Sequence, residues 1–183
     1  MSKLKHNIIF LEKISLKHID LGWLEWVNNS GNIKVLNRPP YRYNKKQLLK
    51  YLKDLKKSGD LMFAVRLKSN SEYIGNIRIN HIDYHNRNCG YGRLLGNKKY
   101  IGKNYGQLML YKICDYAFNK LRMNKIFTPI YSDNLRSLAS NLEFGMRISG
   151  HFKNHFKKNK KFKDVYYLEL TKDEFRKIKK KYE

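Results

Sequence analysis

A short glycine-containing segment is the part of the sequence whose residue types and spacing most clearly suggest chemistry. Residues 102–106, Gly-Lys-Asn-Tyr-Gly, follow an apolar stretch and precede a long amphipathic segment. Free amides at a helix N-terminus bind phosphate with the help of the helix dipole, and glycine allows a close approach because it has no Cβ. The segment lacks the Gly-Lys-Ser/Thr of a P-loop and the Gly-x-Gly-x-x-Gly of a dinucleotide-binding fold. The pattern alone indicates either a phosphate-binding turn or an ordinary strand-to-helix connection.

Two histidine pairs are the other arrangement that could carry chemistry, in their case as metal ligands. His81 and His85 are four residues apart, as are His151 and His155. This spacing places two ligands on one face only in a helix, and the surrounding sequence predicts strand or turn in both places. No carboxylate or cysteine pairing completes a site, so we expect no metal.

Length and composition predict one globular domain spanning residues 1–183. The chain is 42% hydrophobic and 14% aromatic, which is enough for one core and argues against disorder along the whole length. Two cysteines are too few for a disulfide scaffold. No stretch has the apolar length of a signal peptide or a transmembrane helix, so we expect a soluble, cytoplasmic protein.

The charge is strongly positive, because 39 lysines and arginines face only 15 aspartates and glutamates, which gives a formal net charge of +24. The basic residues are spread over the chain, which favours a generally basic surface. Attraction of a small anionic ligand and binding of nucleic acid are the alternatives. The densest basic runs, 157–163 and 176–181, are predicted to be a turn and a solvated tail.

Hydrophobic periodicity predicts an α+β order of elements. Asn44 and Gln47 have the spacing of a capping box. Pro129 cannot donate a ladder hydrogen bond, so its strand should be unpaired on one side there. The predicted strands are 8–14, 61–67, 73–82, 89–95, 125–131, 146–156 and 162–170; the predicted helices are 18–27, one that begins after Asn44, a long one that ends at Leu121, and 134–144; residues 29–43 are predicted to be a loop.

This order of elements resembles the GNAT superfamily of acetyl-CoA-dependent N-acetyltransferases over nearly the whole chain. Residues 90–118 resemble its motif A, and residues 134–146 resemble its Asn-x-x-Ser…Gly-Phe segment. Residues 23–26, 74–77 and 163–166 resemble the branch that contains ribosomal-protein N-terminal and amino-sugar N-acetyltransferases. The resemblance implies the GNAT fold, an α+β fold. Its mixed, mostly antiparallel sheet of about seven strands is splayed between strands four and five and flanked by helices.

The resemblance also implies acetyl-CoA as co-substrate and no metal. The pyrophosphate-binding pattern Gln/Arg-x-x-Gly-x-Gly falls on residues 101–106, although Ile101 replaces the Gln or Arg and Asn104 replaces a Gly. Backbone amides of this loop would bind the diphosphate, and the fourth strand would pair with the pantetheine arm. The implied cofactor-binding residues are Arg93, Leu94, Leu95, Gly102, Lys103, Asn104, Tyr105, Gly106, Gln107 and Asn134.

Two positions that many relatives use for catalysis differ in this chain. Asn141 stands where many carry a tyrosine acid, and the acidic residue that some carry at the start of the fourth strand is absent. The resemblance leaves Ser137 as the residue that would protonate the departing thiolate. Asp83 and His85, in the preceding turn, are the nearest titratable candidates for the base, and a water chain to solvent is the alternative.

The resemblance implies that the acceptor of the acetyl group enters opposite the cofactor. The residues expected to line its entrance are Arg38, Tyr41, Arg42, Tyr43, His151, Phe152 and Lys153. A cationic and aromatic rim suits a phosphate-bearing amine, so we predict acetylation of a nucleotide-linked amino sugar in a surface-glycan or flagellin-glycan pathway. A protein N-terminus is the alternative acceptor, polyamines, antibiotics and other amines are also left open, and a non-catalytic nucleic-acid-binding module is a second alternative. Dimers are common in this branch, but no segment here predicts one.

Overall fold

A seven-stranded sheet forms the centre of the structure, a computed structural model that describes residues 6–35, 42–158 and 160–182. The strands lie in the order β1-β2-β3-β4-β5-β7-β6, and all neighbours are antiparallel except β4 and β5. This confirms the mixed, mostly antiparallel sheet. The strands are β1 (Ile9–Lys13), β2 (Leu61–Leu67), β3 (Tyr73–Asp83), β4 (Asn88–Leu95), β5 (Lys125–Tyr131), β6 (Arg147–Lys158) and β7 (Lys161–Thr171).

Helices flank the sheet on both faces. A π-helical turn, Ile19–Trp23, leads directly into the first helix, and another, Tyr116–Lys120, extends the fourth. No helix within the described ranges is long and apolar enough to cross a membrane. The helices are α1 (Leu24–Asn28), α2 (Ser30–Val35), α3 (Lys45–Ser58), α4 (Tyr105–Asp115), α5 (Leu135–Phe144) and α6 (Lys172–Lys179).

Two helices correct the sequence prediction. α2 lies where a loop was predicted, and the chain bends before it because Asn29 has an extended backbone. α6 occupies most of the predicted solvated tail; Thr171 and Glu174 form a capping box at its start. Its Phe175 is only 2% exposed and packs against the ring of Phe118. The sequence did not predict this helix, because residues 176–181 are mostly basic and only a few apolar residues form the buried face of the helix.

The two faces of the sheet are covered by different helices. We call the face of Ile77 and Tyr91, which packs under α4 and α6, the α4 face. The opposite face, that of Ala64 and Tyr73, packs under the Ile19–Trp23 turn, α1 and α3 and is called the α1 face. Because side chains alternate along a strand, neighbouring residues of β4 and β5 contribute to opposite faces.

β4 and β5 are paired only at their beginnings. The parallel ladder includes Asn88–Lys125, Cys89–Ile126 and Gly90–Phe127 and does not continue in the described structure. Just beyond it, the Thr128 hydroxyl donates to the Tyr91 carbonyl at 3.1 Å. β5 stays paired with β7 over its length, including Pro129 with Tyr167. The proline therefore faces an opening between β4 and β5, as predicted, and the splayed GNAT-type sheet is confirmed.

Candidate active site

The turn before α4 presents backbone amides at one point. Gly102 and Asn104 adopt left-handed conformations, with φ of 79° and 62°, and no side chain caps the helix. The Gln107 amide donates to the Asn104 carbonyl at 3.0 Å. Among the described residues, the amides of Asn104, Tyr105 and Gly106 have no hydrogen-bond acceptor. Left-handed residues that converge amides in this way form a concave anion site, and the positive end of α4 strengthens it.

The side chain of Arg93 joins this turn to the neighbouring helix. Arg93 lies on the α4 face of β4, where its Nη1 donates to the Gly106 carbonyl and its Nη2 donates to Ser140 Oγ at 2.9 Å. Gln107 adds a second link between α4 and α5, because its Nε2 donates to the Ser140 carbonyl at 2.9 Å. The structure thus brings together Arg93, Gly106 and Gln107, three of the residues that the sequence assigned to the cofactor.

Hydrogen-bond direction along β4 separates the two leucines assigned to the cofactor. The Gly96 amide donates to Ile74 on β3 at 3.0 Å. Because amides alternate direction along a strand, the Leu94 amide also points to β3, whereas the amides of Arg93 and Leu95 point to the opening beside β5. Leu95 and Arg93 therefore offer the donors for a group lying between the splayed strands.

Buried polar groups continue the same region along α5. The Tyr91 hydroxyl donates to Asn141 Oδ1, and Asn141 Nδ2 donates to the Ser137 carbonyl at 2.6 Å. Asn141 is only 1% exposed, so its amide is fixed inside the protein. Ser137 Oγ lies 3.4 Å from Asn141 Nδ2 and is partly exposed. Asn134 Oδ1 caps the helix by accepting from the Ser137 amide at 3.3 Å.

The opening reaches the α1 face at Gly92. A Cβ on Gly92 would meet no described atom within 4 Å. Two residues earlier, a Cβ on Gly90 would lie 2.5 Å from Asn80 Oδ1 and 3.4 Å from the Phe127 ring. The sheet is thus closed at Gly90 and open at Gly92. Alternate glycines inside a predicted strand are the signal that could have located this opening, since glycine there marks a close approach of backbone or ligand.

Comparison with known proteins decides the family. The sequence matches the acetyltransferase (GNAT) domain over residues 9–147, from β1 to the start of β6. This chain belongs to the GNAT family. It is an acyltransferase that uses acetyl-CoA as its co-substrate. The non-catalytic, nucleic-acid-binding alternative is therefore not retained.

Individual relatives resemble this GNAT chain over nearly its full length. The uncharacterized N-acetyltransferase p20 of Bacillus licheniformis is 25% identical over 178 residues, which are 96% of this chain and 99% of that protein. The crystal structure of spermidine N-acetyltransferase from Vibrio cholerae in complex with CoA and spermine has a TM-score of 0.80 at 21% identity, covering 93% of this chain and 99% of its own. A dodecameric structure of spermidine N-acetyltransferase from Vibrio cholerae has a TM-score of 0.73 at 19% identity, covering 92% and 96%. These structures confirm the GNAT fold.

The cleft of this GNAT domain fits acetyl-CoA. Within the part of the chain that the structure describes, the amides of residues 104–106 have no acceptor, as the binding of a diphosphate requires. Beyond the Thr128 contact to Tyr91, no described bond joins β4 to β5, so a pantetheine arm can lie against β4 as an added strand. Lys103 is exposed on the same turn and adds positive charge.

The first part of the predicted acceptor rim is only partly described. Arg38 and Tyr41 lie outside the described residues. Arg42 is exposed. Tyr43 is tied to α1, because Asn28 Oδ1 accepts from its amide at 2.7 Å and Asn28 Nδ2 donates to its carbonyl at 2.8 Å. The segment before α3 is thus anchored on the α1 face, the side on which the acceptor is expected.

The second part of the predicted rim is divided between the two faces of the sheet. His151 stacks on Tyr166, with ring centroids 4.6 Å apart, and Tyr166 packs against the core of the α4 face. Phe152 contacts Tyr167, the next residue of β7, at 5.0 Å. Because side chains alternate along a strand, Phe152 lies on the α1 face and His151 lies on the α4 face. Lys153 is exposed on the same edge strand.

The structure does not bring Asp83 and His85 to the opening. Asp83 ends β3 opposite Asn88, and His85 lies in the turn that follows. The pairing of Asn88 with Lys125 closes the sheet at that end. Hydrogen bonds from the amide and side chain of Asn86 hold the pKa of Asp83 below its usual range. A hairpin places its turn at the start of β4, whereas the opening begins further along that strand. The water route for the amine proton is accordingly the one that we retain.

The cysteines are not available as nucleophiles. Cys89 and Cys114 are both buried, and burial raises the pKa of Cys89 to about 12. Burial also raises the pKa of Cys114. Only a thiolate is an effective nucleophile, so an acetyl-cysteine intermediate is disfavoured and direct attack by the amine is favoured. Within the described residues, no group of three or more His, Cys, Asp or Glu side chains could hold a metal ion.

Proposed function

We propose that this acetyltransferase modifies the primary amine of a nucleotide-linked amino sugar. The observation that carries the proposal is that several carboxylates on the α1 face of the sheet and in its adjoining turns already form ion pairs within the chain. The carboxylates named below each contact a cation of the chain itself, so they are not free to bind an amine-rich, positively charged acceptor. Glu72, in the β2–β3 turn, instead accepts hydrogen bonds from Tyr100 and Asn97, and Glu25 on α1 is exposed and forms no ion pair among the described residues. The pairs are Glu12 with Lys17 and Arg66, Asp60 with Arg78, Asp133 with Lys163, and Glu169 with Lys125 and Arg147.

Charge supports the same choice. The net charge of +24 attracts an acceptor that carries phosphate and repels a polycation. Arg42 is exposed beside the α1 face and forms no ion pair among the described residues. A guanidinium is well suited to a phosphate oxygen pair. A protein N-terminus remains the alternative acceptor, because the branch resemblance includes enzymes of that kind.

A comparison of acceptors tests the proposal. Release of free CoA thiol from acetyl-CoA would be measured with UDP-linked amino sugars, with a peptide bearing a free N-terminus, and with spermidine at equal concentration. We expect the UDP-amino sugar to give the largest kcat/KM. Preferential turnover of the peptide would select the N-terminal alternative, and preferential turnover of spermidine would contradict the electrostatic argument.

The chemical step needs two contributions from the chain. Acetyl-CoA supplies an activated acetyl thioester, which the neutral amine attacks at its carbonyl carbon. The Leu95 amide, which faces the opening, would donate to the developing oxyanion, an interaction that can be worth about 3 kcal/mol of barrier. Ser137 Oγ would donate a proton to the departing sulfur and take one back from water, and the amine would lose its own proton to water.

Replacing Ser137 with alanine should lower kcat roughly 10- to 100-fold and leave the KM for acetyl-CoA nearly unchanged, because the proton is needed only as the thiolate departs. Steady-state kinetics with thiol detection would measure both constants. Ser137→Thr keeps a hydroxyl and should retain most of the rate, and Ser149→Ala on β6 provides a matched control. A wild-type kcat for Ser137→Ala would transfer this role to water.

A further inference from the structure

We propose that the guanidinium of Arg93 is a built-in counter-charge for the cofactor diphosphate, placed behind the first turn of α4. The proposal rests on the proposed position of acetyl-CoA, and not on the identity of the acceptor. It assigns a role to the side chain of Arg93, in addition to any contact that the β4 backbone makes with pantetheine.

The first argument is that Arg93 is a half-buried cation whose partners among the described residues are neutral. Its two hydrogen bonds end on the Gly106 carbonyl and the Ser140 hydroxyl. Within the described residues it has no carboxylate within salt-bridge distance, and desolvation lowers its pKa. A guanidinium that is partly removed from water is costly unless an anion compensates it.

The ionisable side chains that interact electrostatically with Arg93 do not supply that anion. They are Tyr91, Cys114 and Tyr182, and burial raises the pKa of all three, that of Tyr182 to about 12. Each is therefore neutral at physiological pH. Glu143 is exposed and lies 3.5 Å from Gln107 Nε2, so it contacts the neighbouring amide and not Arg93.

The second argument is the position of the guanidinium beside another positive group. Its Nη1 bonds the second residue of α4, whose N-terminal end carries the positive side of the helix dipole. The first turn of α4 contains no acidic residue. Two positive features without a described anion are mutually unfavourable, and both become favourable when a diphosphate lies at the free amides of residues 104–106.

The Arg93→Met variant distinguishes a counter-charge for the diphosphate from a side chain that only links α4 to α5. Methionine approximates the volume of the side chain and removes the charge, so the unliganded protein should have an equal or higher Tm. The rise in Tm on adding CoA should shrink, and the Kd of CoA measured by calorimetry should increase by about tenfold or more. Dephospho-CoA, which keeps the diphosphate but lacks the 3′-phosphate, should lose affinity by the same factor.

Two further variants complete the test. Ser140→Ala removes the tie to α5 and keeps the charge, so its Kd for CoA should stay within about threefold of the wild-type value. Arg93→Lys keeps the positive charge and should retain most of the affinity for CoA. This variant still tests the proposal if Arg93→Met does not fold. Equal losses of CoA affinity in Ser140→Ala and Arg93→Lys would show that Arg93 only links α4 to α5. A lower Tm of Arg93→Met with unchanged CoA affinity would show the same. Failure of the wild-type protein to bind CoA would instead refute the cofactor site itself.

Discussion

Asn104→Val should weaken CoA binding by roughly 10- to 100-fold, because a β-branched residue is strained in the left-handed conformation that this turn requires. Asn104 has φ of 62° and immediately precedes α4. Relief of the strain would rotate the peptide groups on either side and turn their amides away from the point at which they converge. Isothermal titration calorimetry with CoA would measure the loss.

Asn104→Gly is the matched control for this prediction. Glycine adopts the left-handed conformation freely, and the superfamily pattern carries glycine at this position, so CoA should bind at least as tightly as to the wild-type protein. Wild-type affinity in Asn104→Val would mean that the conformation of this turn does not matter for the cofactor.

Gly96→Ala should destabilise the fold by about 2–4 kcal/mol, because the added methyl group has no space. Its Cβ would lie 2.0–2.4 Å from three atoms of the Trp26 indole. Trp26 is 8% exposed and its ring lies 4.5 Å from that of Tyr73, so the indole cannot move without disturbing the packing on the α1 face. Urea unfolding followed by tryptophan fluorescence would measure the change.

Gly92→Ala, within β4, offers the control for Gly96→Ala, which lies just beyond the end of that strand. Its Cβ points into open space, so the free energy of unfolding should change by less than about 1 kcal/mol. Equal stabilities of the two variants would show that Trp26 does not pack against the end of β4 in solution.

Local signals in the sequence predicted much of the fold. The spacing of Asn44 and Gln47 predicted the start of α3, and both bonds of the capping box are present at 2.8 and 2.9 Å. Pro129 predicted the unpaired side of β5 because a proline constrains its own strand wherever that strand lies. By contrast, α6 was missed, because a helix with few apolar residues is stabilised by a tertiary contact such as that of Phe175 with Tyr111.

The candidate site was predicted only where it depends on one segment of chain. The turn at 102–106 was visible as a pattern, but nothing in the sequence pairs Arg93 with Ser140, which lies 47 residues away. Chain proximity was also misleading for Asp83 and His85. They are close to β4 in sequence, yet the hairpin holds them at the closed end of the sheet.

The sequence showed that Asn141 stands in place of a tyrosine acid, but it did not show which residue holds the Asn141 side chain. The hydroxyl of Tyr91, on a different element, fixes that amide, and this pairing exists only once β4 and α5 are packed together. The role that we propose for Ser137 requires its partial exposure beside Asn141, which depends on the same packing.

A crystal structure of the protein grown with millimolar CoA tests the central claim most directly. We predict diphosphate oxygens within hydrogen-bonding distance of the amides of Asn104, Tyr105 and Gly106, and a pantetheine arm between β4 and β5. Density for CoA at another surface, or a diphosphate that leaves these three amides without an acceptor, would contradict the account.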